Sequence, residues 1–299
     1  MSRIPSMAAL AAGMLMLVAT ASGADEDRFA GVSVSTQPLR GGVFMLQGAG
    51  GNIGVLASSD GLLMVDDEYA PLAERIQAAL DDIAADAAVA EAPRFVLNTH
   101  HHGDHSGGNG FFGRTGTIVA HENVRARLVD GGEAPPAALP MVTYADRVRL
   151  HMGAETIDLV HLPHGHTDGD SIVFFRAANV VHLGDHFFNG NFPYVDLGSG
   201  GSVRGLIDNI AAVLAQLDAE VLIIPGHGPL AGVEDLQAYL TMLEATWATV
   251  DTAIASGATD AEIRARGLDA RWDGWGKGFI TAERWIDTML REARGARGG

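Results

Sequence analysis

The sequence predicts a mixed α/β protein in which helices lie outside packed β-sheets. Three observations support this prediction. Short apolar runs alternate with helical patterns, in the order strands, helix, strand, helix, strands, helix, strand, helices. No sequence repeat is present, and several apolar runs end in Gly-rich polar turns. With 299 residues and 47% hydrophobic content, the chain can bury a sizeable core in one large domain or two small ones.

The first half begins with a predicted hairpin, because GVFMLQ and NIGVLA flank the Gly-rich turn GAGG. A helix follows the third strand, where alanines recur with apolar residues at helical spacing. The predicted elements are strands over 42–47, 52–57 and 61–65, a helix over 69–87, a short buried strand over 95–97 and a strand–helix unit over 117–128.

The second half opens with a turn-rich connection over 131–139, which carries Pro135 and Pro136. A Gly- and Asn-rich segment over 184–204 is predicted to be a long loop. The other predicted elements are strands near 147–150, 156–162, 171–175, 180–183 and 221–224, and helices over 203–217, 234–256, 260–266 and 281–294.

Charge and composition exclude some classes of function. The formal net charge is −17, whereas a nucleic-acid binder needs a basic surface to neutralise phosphates. The same charge argues against an anionic membrane surface as a partner. Because the chain has no cysteine, disulfides, thiolate nucleophiles and Zn–Cys sites are excluded. Any bound metal must be held by imidazole and carboxylate groups, which suit Zn²⁺ and, less strongly, iron or manganese.

The N-terminus has the layout of a secretory signal peptide. Arg3 precedes an apolar run over 7–20, and small residues then lead into an acidic stretch, which predicts cleavage after Ala21 or Ala24. An N-terminal membrane anchor is the alternative, although the run is shorter than the ~20 residues that span a bilayer. We expect residues 1–24 to be removed, residues 25–299 to form the mature domain, and the protein to be periplasmic or secreted, with no membrane association after processing.

The segment HHHGDH after the strand at 95–97 is the strongest chemical signal. His100 and His102 are two apart in an extended segment, so they point the same way and can bind one ion. Asp104 and His105 lie on the following turn, and imidazole and carboxylate are ligands that Zn²⁺ accepts. A solvated loop that happens to be His-rich is the alternative reading.

Three further polar turns follow apolar strands. They are HGHTDGD with His166, LGDH with Asp185 and PGHG with His227. Each turn alone could simply terminate a strand. Because loops after strands are the usual place for sites in α/β proteins, the four turns together predict one shared site.

These motifs resemble those of the metallo-β-lactamase-fold hydrolase superfamily. The HxHxDH motif, the histidine of GHT, the aspartate of LGD and the histidine of PGHG all have counterparts here, and the resemblance extends from about residue 41 to 243. It implies an αββα sandwich of two mixed β-sheets flanked by helices, within a single hydrolase domain over 25–299. It also implies a binuclear zinc centre, with two Zn²⁺ ions per chain.

The resemblance further implies a role for each motif residue. One metal ion would bind His100, His102 and His166, the other would bind Asp104, His105 and His227, and Asp185 would bridge both. Two such ions lower the pKa of a shared water, which then attacks a carbonyl. Asp104 is the candidate catalytic residue, placed to orient the hydroxide or to move its proton.

The substrate is less constrained than the chemistry. The leading hypothesis is a β-lactamase-like enzyme with weak or promiscuous lactam hydrolysis, because Asp170 stands where one lactamase subclass has a serine and should repel an anionic drug. The alternative is a lactone, ester or thioester hydrolase similar to glyoxalase II, which the bridging-type Asp185 favours. A mononuclear iron oxidoreductase is a further alternative, and it would use fewer ligands.

A small molecule is the expected partner, and the sequence leaves the oligomeric state open. The predicted loop over 184–204 supplies candidates for the wall of a substrate pocket, because it is rich in aromatic residues and ends near a basic one. The candidate substrate-binding residues are Phe188, Phe192, Tyr194 and Arg204.

Overall fold

The computed structural model describes residues 28–132 and 134–298. The strands form a seven-stranded and a five-stranded sheet, each with its strands side by side in chain order. The first sheet contains β1 (Ser35–Pro38), β2 (Val43–Gln47), β3 (Ile53–Ser58), β4 (Gly61–Val65), β5 (Pro93–Leu97), β6 (Thr117–His121) and β7 (Val142–Tyr144). The second contains β8 (Arg147–Met152), β9 (Glu155–His161), β10 (Ser171–Phe175), β11 (Val180–His182) and β12 (Leu222–Ile224).

Both sheets are mixed. Strands β1 to β4 pair antiparallel and β4 to β7 pair parallel. In the second sheet, β8 to β11 form an antiparallel series, and β12 pairs parallel to β11. The loops after β5, β11 and β12 therefore leave from the carboxyl ends of strands with a parallel neighbour, where α/β proteins place ligands.

Helices cover the outer faces of both sheets. They are α1 (Ala73–Ala87), α2 (Gly103–Ser106), α3 (Asn109–Phe112), α4 (Glu122–Asp130), α5 (Val203–Leu214), α6 (Val233–Ala255), α7 (Asp260–Arg266) and α8 (Ala282–Gly298). Short 3₁₀ helices lie at Ala70–Leu72, Pro136–Ala138, Gly184–His186, Leu197–Ser199 and Ala270–Lys277. Ser202 begins α5, and its hydroxyl accepts a hydrogen bond from the amide of Gly205, as a helix N-cap does.

The alternation of side chains along β4 shows how the layers pack. Met64 points to the outer face of the first sheet, where it packs in one cluster with Ile76 and Leu80 of α1. Its neighbours Leu63 and Val65 point to the other face and pack between the two sheets. All five side chains are fully buried, so both faces of the first sheet are covered.

The second sheet repeats this arrangement. Val173 of β10 packs between the sheets, whereas its neighbours Ile172 and Phe174 face outward and pack with Leu206 of α5 and Trp285 of α8. The layers are therefore helix, sheet, sheet, helix. The predicted αββα sandwich of two mixed sheets is confirmed.

The structure differs from the sequence predictions in two edge strands and one helix end. All four residues of β1 are exposed, so this strand has no apolar pattern, and β7 has only three residues. The helix predicted over 203–217 ends at Leu214. The predicted long loop over 184–204 contains two short 3₁₀ helices and the start of α5.

The predicted signal peptide at residues 1–24 lies outside the described residues. Among the helices that the structure describes, none is both long and apolar enough to cross a lipid bilayer. The longest of the eight α-helices above, α6, has charged residues in its first turn.

Candidate metal centre

The four polar turns meet at one end of the sandwich. Each follows a buried strand, so the backbone of the sheet fixes where its side chains begin. His100 and His102 follow β5, Asp104 and His105 lie on α2, His166 follows β9, Asp185 lies on the 3₁₀ helix after β11, and His227 follows β12.

The first donor set contains His100, His102 and His166. Nε2 of His166 lies 2.8 Å from Nδ1 of His102 and 3.3 Å from Oδ2 of Asp185. Nε2 of His100 lies 3.8 Å from the same oxygen. One ligand atom from each of these four residues lies within 4.8 Å of all the others.

The second donor set contains Asp104, His105 and His227. Nε2 of His227 lies 3.3 Å from Nε2 of His105 and 3.4 Å from Oδ2 of Asp104. The other oxygen of Asp185, Oδ1, lies 3.0 Å from His105 Nε2 and 3.4 Å from His227 Nε2. Asp185 therefore presents one carboxylate oxygen to each donor set.

These separations fit two tetrahedral cations. Four ligands at about 2.0–2.1 Å from a metal ion lie roughly 3.3 Å from one another. The separations between donor atoms here run from 2.8 to 3.9 Å. Nε2 of His100 is also buried without a hydrogen-bond partner in the described chain, and a bound cation would satisfy it.

The pKa values of the second donor set show that its carboxylates favour a positive charge between them in the metal-free chain. Burial alone would lower the pKa of His105 and His227, but Asp185 and neighbouring carboxylates raise it, to about 9 for His227. Burial would raise the pKa of Asp185, but the histidines hold it well below its usual value. Protons on two imidazoles thus occupy the place that metal ions would take.

The first donor set differs from the second in charge. Burial lowers the pKa of His166 to about 4 and lowers the pKa of His100 well below its usual value. Both imidazoles are therefore neutral at pH 7, and only neutral imidazole has a lone pair for a metal.

Residues 46–227, more than half of the chain, match the family profile of the metallo-β-lactamase superfamily. The chain belongs to the metallo-β-lactamase superfamily. The matched range includes all seven donor residues described above. Membership therefore supports a metal-dependent hydrolase with a His/Asp metal-binding cluster.

Solved structures of superfamily members share the fold. A metallo-β-lactamase from Pontibacter korlensis superposes with a TM-score of 0.59 at 15% identity, covering 71% of this chain and 99% of that one. The metallo-β-lactamase DIM-1 gives a TM-score of 0.61 at 14% identity, covering 71% and 98%. At this level of identity the likeness establishes the fold alone.

Curated relatives match over shorter stretches. An uncharacterised protein of Mycobacterium leprae (strain TN) is 40% identical over 85 residues, which are 28% of this chain and 38% of that protein. A hydroxyacylglutathione hydrolase of Anaeromyxobacter dehalogenans (strain 2CP-C) is 28% identical over 148 residues, 48% of this chain and 52% of the relative. The chain thus spans about half or less of the length of these relatives.

Each of three donor histidines of this metallo-β-lactamase-fold chain has a hydrogen bond on the ring nitrogen that faces away from its donor set, and this bond fixes the orientation of the ring. Asp66 accepts hydrogen bonds from Nδ1 of His105 at 2.8 Å and from both the amide and the hydroxyl of Thr99 at 2.7 Å. His166 donates through Nδ1 to the carbonyl oxygen of Tyr194 at 2.8 Å, and Nε2 of His102 lies 3.2 Å from Asp196. These bonds leave the opposite ring nitrogens free for a metal.

The four sequence motifs include neither Asp66 nor Asp196, the two aspartates that hold donor histidines in place. Asp66 did carry a signal, because it directly follows the apolar strand β4, as the metal ligands follow theirs. It is fully buried and has a φ of 63°, a conformation that non-glycine residues adopt rarely. Asp196 carried none, since it lies within a turn-rich segment.

We expect Asp66→Asn to weaken metal binding by about 10- to 100-fold, because an amide cannot accept all the bonds that the carboxylate accepts. The side chains have the same size, so the fold should be retained. Competition with a chromophoric chelator measures the affinity. Asp82→Asn, which removes a charge from the exposed side of α1, is the matched control. Equal affinities in the two variants would show that His105 is oriented without Asp66.

Glycine lets the turns of the site approach the ligands. A Cβ atom at Gly51, in the hairpin turn between β2 and β3, would clash with the imidazole of His105. A Cβ atom at Gly226 would clash with Oδ1 of Asp185. The backbone of both turns therefore packs directly on residues of the two donor sets, and a side chain at either position would displace them.

A cavity of about 1030 Å³ opens beside the donor sets. His102, Asp104, Asp185 and His227 lie at its inner end. The structure places three of the predicted substrate-binding residues in its wall, namely Phe188, Phe192 and Tyr194. The ring of Phe188 stacks on His227 at 5.1 Å between centroids, which holds an apolar surface next to a metal ligand.

The fourth predicted substrate-binding residue, Arg204, lies elsewhere. It is exposed on the first turn of α5, where its backbone amide donates to Glu292, and it does not line the cavity. The arginines that do line it are Arg28, Arg284 and Arg291. Sequence analysis did not connect them with the site, because they lie far along the chain from the motifs.

The expectation that Asp170 repels anionic substrates is wrong. Asp170 is 3% exposed and does not line the cavity, because its carboxylate accepts hydrogen bonds from the amide and hydroxyl of Thr167. Burial raises its pKa to about 8, so it is largely uncharged at neutral pH. Asp170 holds the turn that carries His166, and no charge from it faces a substrate.

Proposed function

We propose that the protein is a zinc-dependent hydrolase that holds two Zn²⁺ ions per chain and cleaves a carbonyl substrate with water. The observation that carries this proposal is the position of Asp185, whose two oxygens face two complete sets of imidazole and carboxylate donors. A mononuclear iron oxidoreductase would not need the second set of donor residues. The two sets therefore favour a binuclear hydrolase over such an enzyme. The absence of cysteine also suits N- and O-ligated zinc.

Zinc bound between the donor sets would lower the pKa of an associated water towards neutrality and polarise the substrate carbonyl. The chain itself holds and aligns the reactants. His227 and His105 hold the pKa of Asp104 below its usual value although burial raises it, so the carboxylate is ionised at pH 7. Asp104 lies at the floor of the cavity and is placed to orient the attacking water and accept its proton.

The reaction is a balanced hydrolysis. The water oxygen bonds to the carbonyl carbon, and the bond from that carbon to the leaving oxygen, sulfur or nitrogen breaks. The proton held by Asp104 then passes to the leaving atom, which becomes an alcohol, thiol or amine. The new carboxylic acid loses the second proton of the water to solvent and becomes a carboxylate. In a lactone or lactam, the two new groups stay joined in one ring-opened product. The ring of Phe188 stacks on His227 and makes that side of the site apolar.

We propose that esters, thioesters or lactones are better substrates than β-lactams. The bridging position of Asp185 supports this order, as does the name of the relatives that carry an assigned activity, hydroxyacylglutathione hydrolase, which denotes a thioesterase. The solved β-lactamases share only 14–15% identity with this chain, which leaves their substrate class open here. Lactam turnover is expected to be weak.

Metal analysis and one substrate panel test the proposal. The purified protein should contain two zinc ions per chain. Its kcat/KM for an acyl-lactone or a glutathione thioester should exceed that for nitrocefin by at least about tenfold, or about 1.4 kcal/mol in transition-state binding. One iron per chain without zinc would contradict the proposal, and nitrocefin as the best substrate would restore the lactamase reading.

We also propose that the protein is exported, as the charge and apolar pattern of residues 1–24 suggest. Expression of the full chain should place the mature protein in the periplasmic fraction or the medium. Its N-terminal sequence should begin after Ala21 or Ala24. An intact N-terminus in the membrane fraction would favour the anchor instead.

A further inference from the structure

One face of helix α8 forms a wall of the cavity. The α8 residues that line it are Arg284, Asp287, Thr288 and Arg291, at spacings of three and four residues that place them on one side of a helix. Helix α8 lies outside the range that matches the family profile. This wall therefore belongs to a part of the chain that the superfamily motifs do not describe.

The two arginines on this face carry uncompensated positive charge. Within the described part of the chain, no carboxylate oxygen lies within 4 Å of either guanidinium group. The guanidinium of Arg284 donates to the carbonyl oxygen of Phe279 at 3.0 Å and lies 4.9 Å from the centroid of the Phe279 ring. The one acid between them on the helix, Asp287, pairs with Arg264 at 2.6 Å. In a chain of net charge −17, two such unpaired arginines at one cavity are unexpected.

Apolar surface lies between these arginines and the metal ligands. The rings of Tyr194 and Phe279 meet at 6.5 Å between centroids, yet their side chains stay 39% and 75% exposed. The ring of Tyr194 in turn lies 5.8 Å from the ring of His102, between centroids, next to the first donor set. Aromatic side chains that remain so exposed contribute little to the core and are available to a ligand.

We propose that Arg284 and Arg291 form a carboxylate-binding subsite, which selects substrates with an ester, thioester or lactone carbonyl at one end, an apolar middle and a carboxylate at the other end. This inference rests on the proposed hydrolase function. The scissile carbonyl lies at the metal ligands, the apolar segment contacts Phe188, Tyr194 and Phe279, and the distal carboxylate pairs with the two guanidinium groups. The cavity of about 1030 Å³ has room for such an extended molecule.

A matched pair of esters tests the subsite by kinetics. Mono-4-nitrophenyl adipate and 4-nitrophenyl hexanoate have the same acyl length and differ in the terminal carboxylate. In the Arg284→Ala/Arg291→Ala variant, KM for the adipate ester should rise about tenfold with kcat nearly unchanged, whereas both constants for the hexanoate ester should stay within about twofold. Arg266→Ala, which removes an exposed arginine of α7 outside the cavity, is the control and should change neither.

Calorimetric binding of the monoanilide of adipic acid gives a readout that needs no turnover. Its Kd should rise about tenfold in the double alanine variant, should recover in part with lysine at both positions, and should rise with ionic strength in the wild type. Wild-type affinity in the double variant, or an equal loss for both esters, would overturn the subsite. Arginine-dependent binding by a protein that holds no zinc and cleaves no ester would support the subsite and overturn the proposed function.

Discussion

Replacing Asp185 with asparagine is expected to lower kcat/KM by at least about a thousandfold and to reduce bound zinc from two ions per chain to one or none. The amide has the shape of the carboxylate but one acceptor oxygen and no charge. Its nitrogen would face either His166, 3.3 Å from Oδ2, or His105, 3.0 Å from Oδ1, and it cannot bind a cation. Either donor set thus loses its shared ligand.

The charge balance adds to this loss. Asp185 is 5% exposed and surrounded by four imidazoles, and no other carboxylate lies within 4 Å of both His100 and His166 in the described chain. Without it, Asp104 would be the one carboxylate left among the seven donors to balance two dications in a buried site. Elemental analysis and steady-state kinetics measure the two effects. Asp86→Asn, which removes an exposed charge from α1, should change neither value.

The outcome separates two roles for this residue. If Asp185→Asn keeps both metal ions and most of its activity, the carboxylate does not bridge them, and the binuclear proposal loses the observation that carries it. If it keeps one ion and most of its activity, one donor set suffices for hydrolysis, and the second ion is not needed for the reaction.

The sequence predicts the strands whose side chains are buried on both faces of the sheet. Strand β4 reads GLLMV and β10 reads SIVFF, and every side chain in both strands is buried, so the apolar runs identify them directly. Strand β1 reads STQP with all residues exposed, and it pairs with β2 through the backbone and a hydrogen bond from the Ser35 hydroxyl to the carbonyl oxygen of Gln47. Such an edge strand has no side-chain pattern from which to predict it.

The same distinction applies to the site. The ligand motifs are local, because each donor follows its own strand in a recognisable turn, and the structure brings all seven donors together. The cavity wall is not local. Arg284 and Arg291 reach the cavity because Trp285 and Met289, on a neighbouring face of α8, pack into the core and fix the rotation of the helix. That placement depends on tertiary packing, and for this reason the sequence suggested Arg204, which lies closer to the motifs along the chain.

Removal of the metal ions is expected to lower the melting temperature by roughly 10 °C or more and to abolish turnover. A ligand present at 100 to 1,000 times its Kd stabilises the folded state by about 2.7 to 4.1 kcal/mol per site, and 1 kcal/mol shifts Tm by roughly 2–4 °C in a protein of this size class. The metal-free protein also retains His100 Nε2 as a buried atom without a hydrogen-bond partner in the described chain. Calorimetry before and after dialysis against chelator measures the shift, and added zinc should reverse it.

The stability of the metal-free protein should fall as pH rises from about 6.5 to about 9. His227 has a pKa of about 9 in the folded chain, above the roughly 6.5 of an unfolded histidine, so the folded state binds more protons in this window. The pKa of His105 is raised in the same direction by Asp185 and Asp66 despite burial. Protonation therefore stabilises the metal-free fold fully below pH 6.5, and this contribution is lost as pH rises through 9.

The stabilisation that zinc provides should change with pH in the opposite direction. Metal binding requires both imidazoles to lose their protons, so the apparent zinc affinity and the stabilisation by zinc should rise over the same pH window. The difference in Tm between zinc-loaded and metal-free protein should accordingly be larger at pH 8.5 than at pH 6.5. A difference that stays constant with pH would mean that zinc does not displace protons from His105 and His227, and hence that these residues do not bind it.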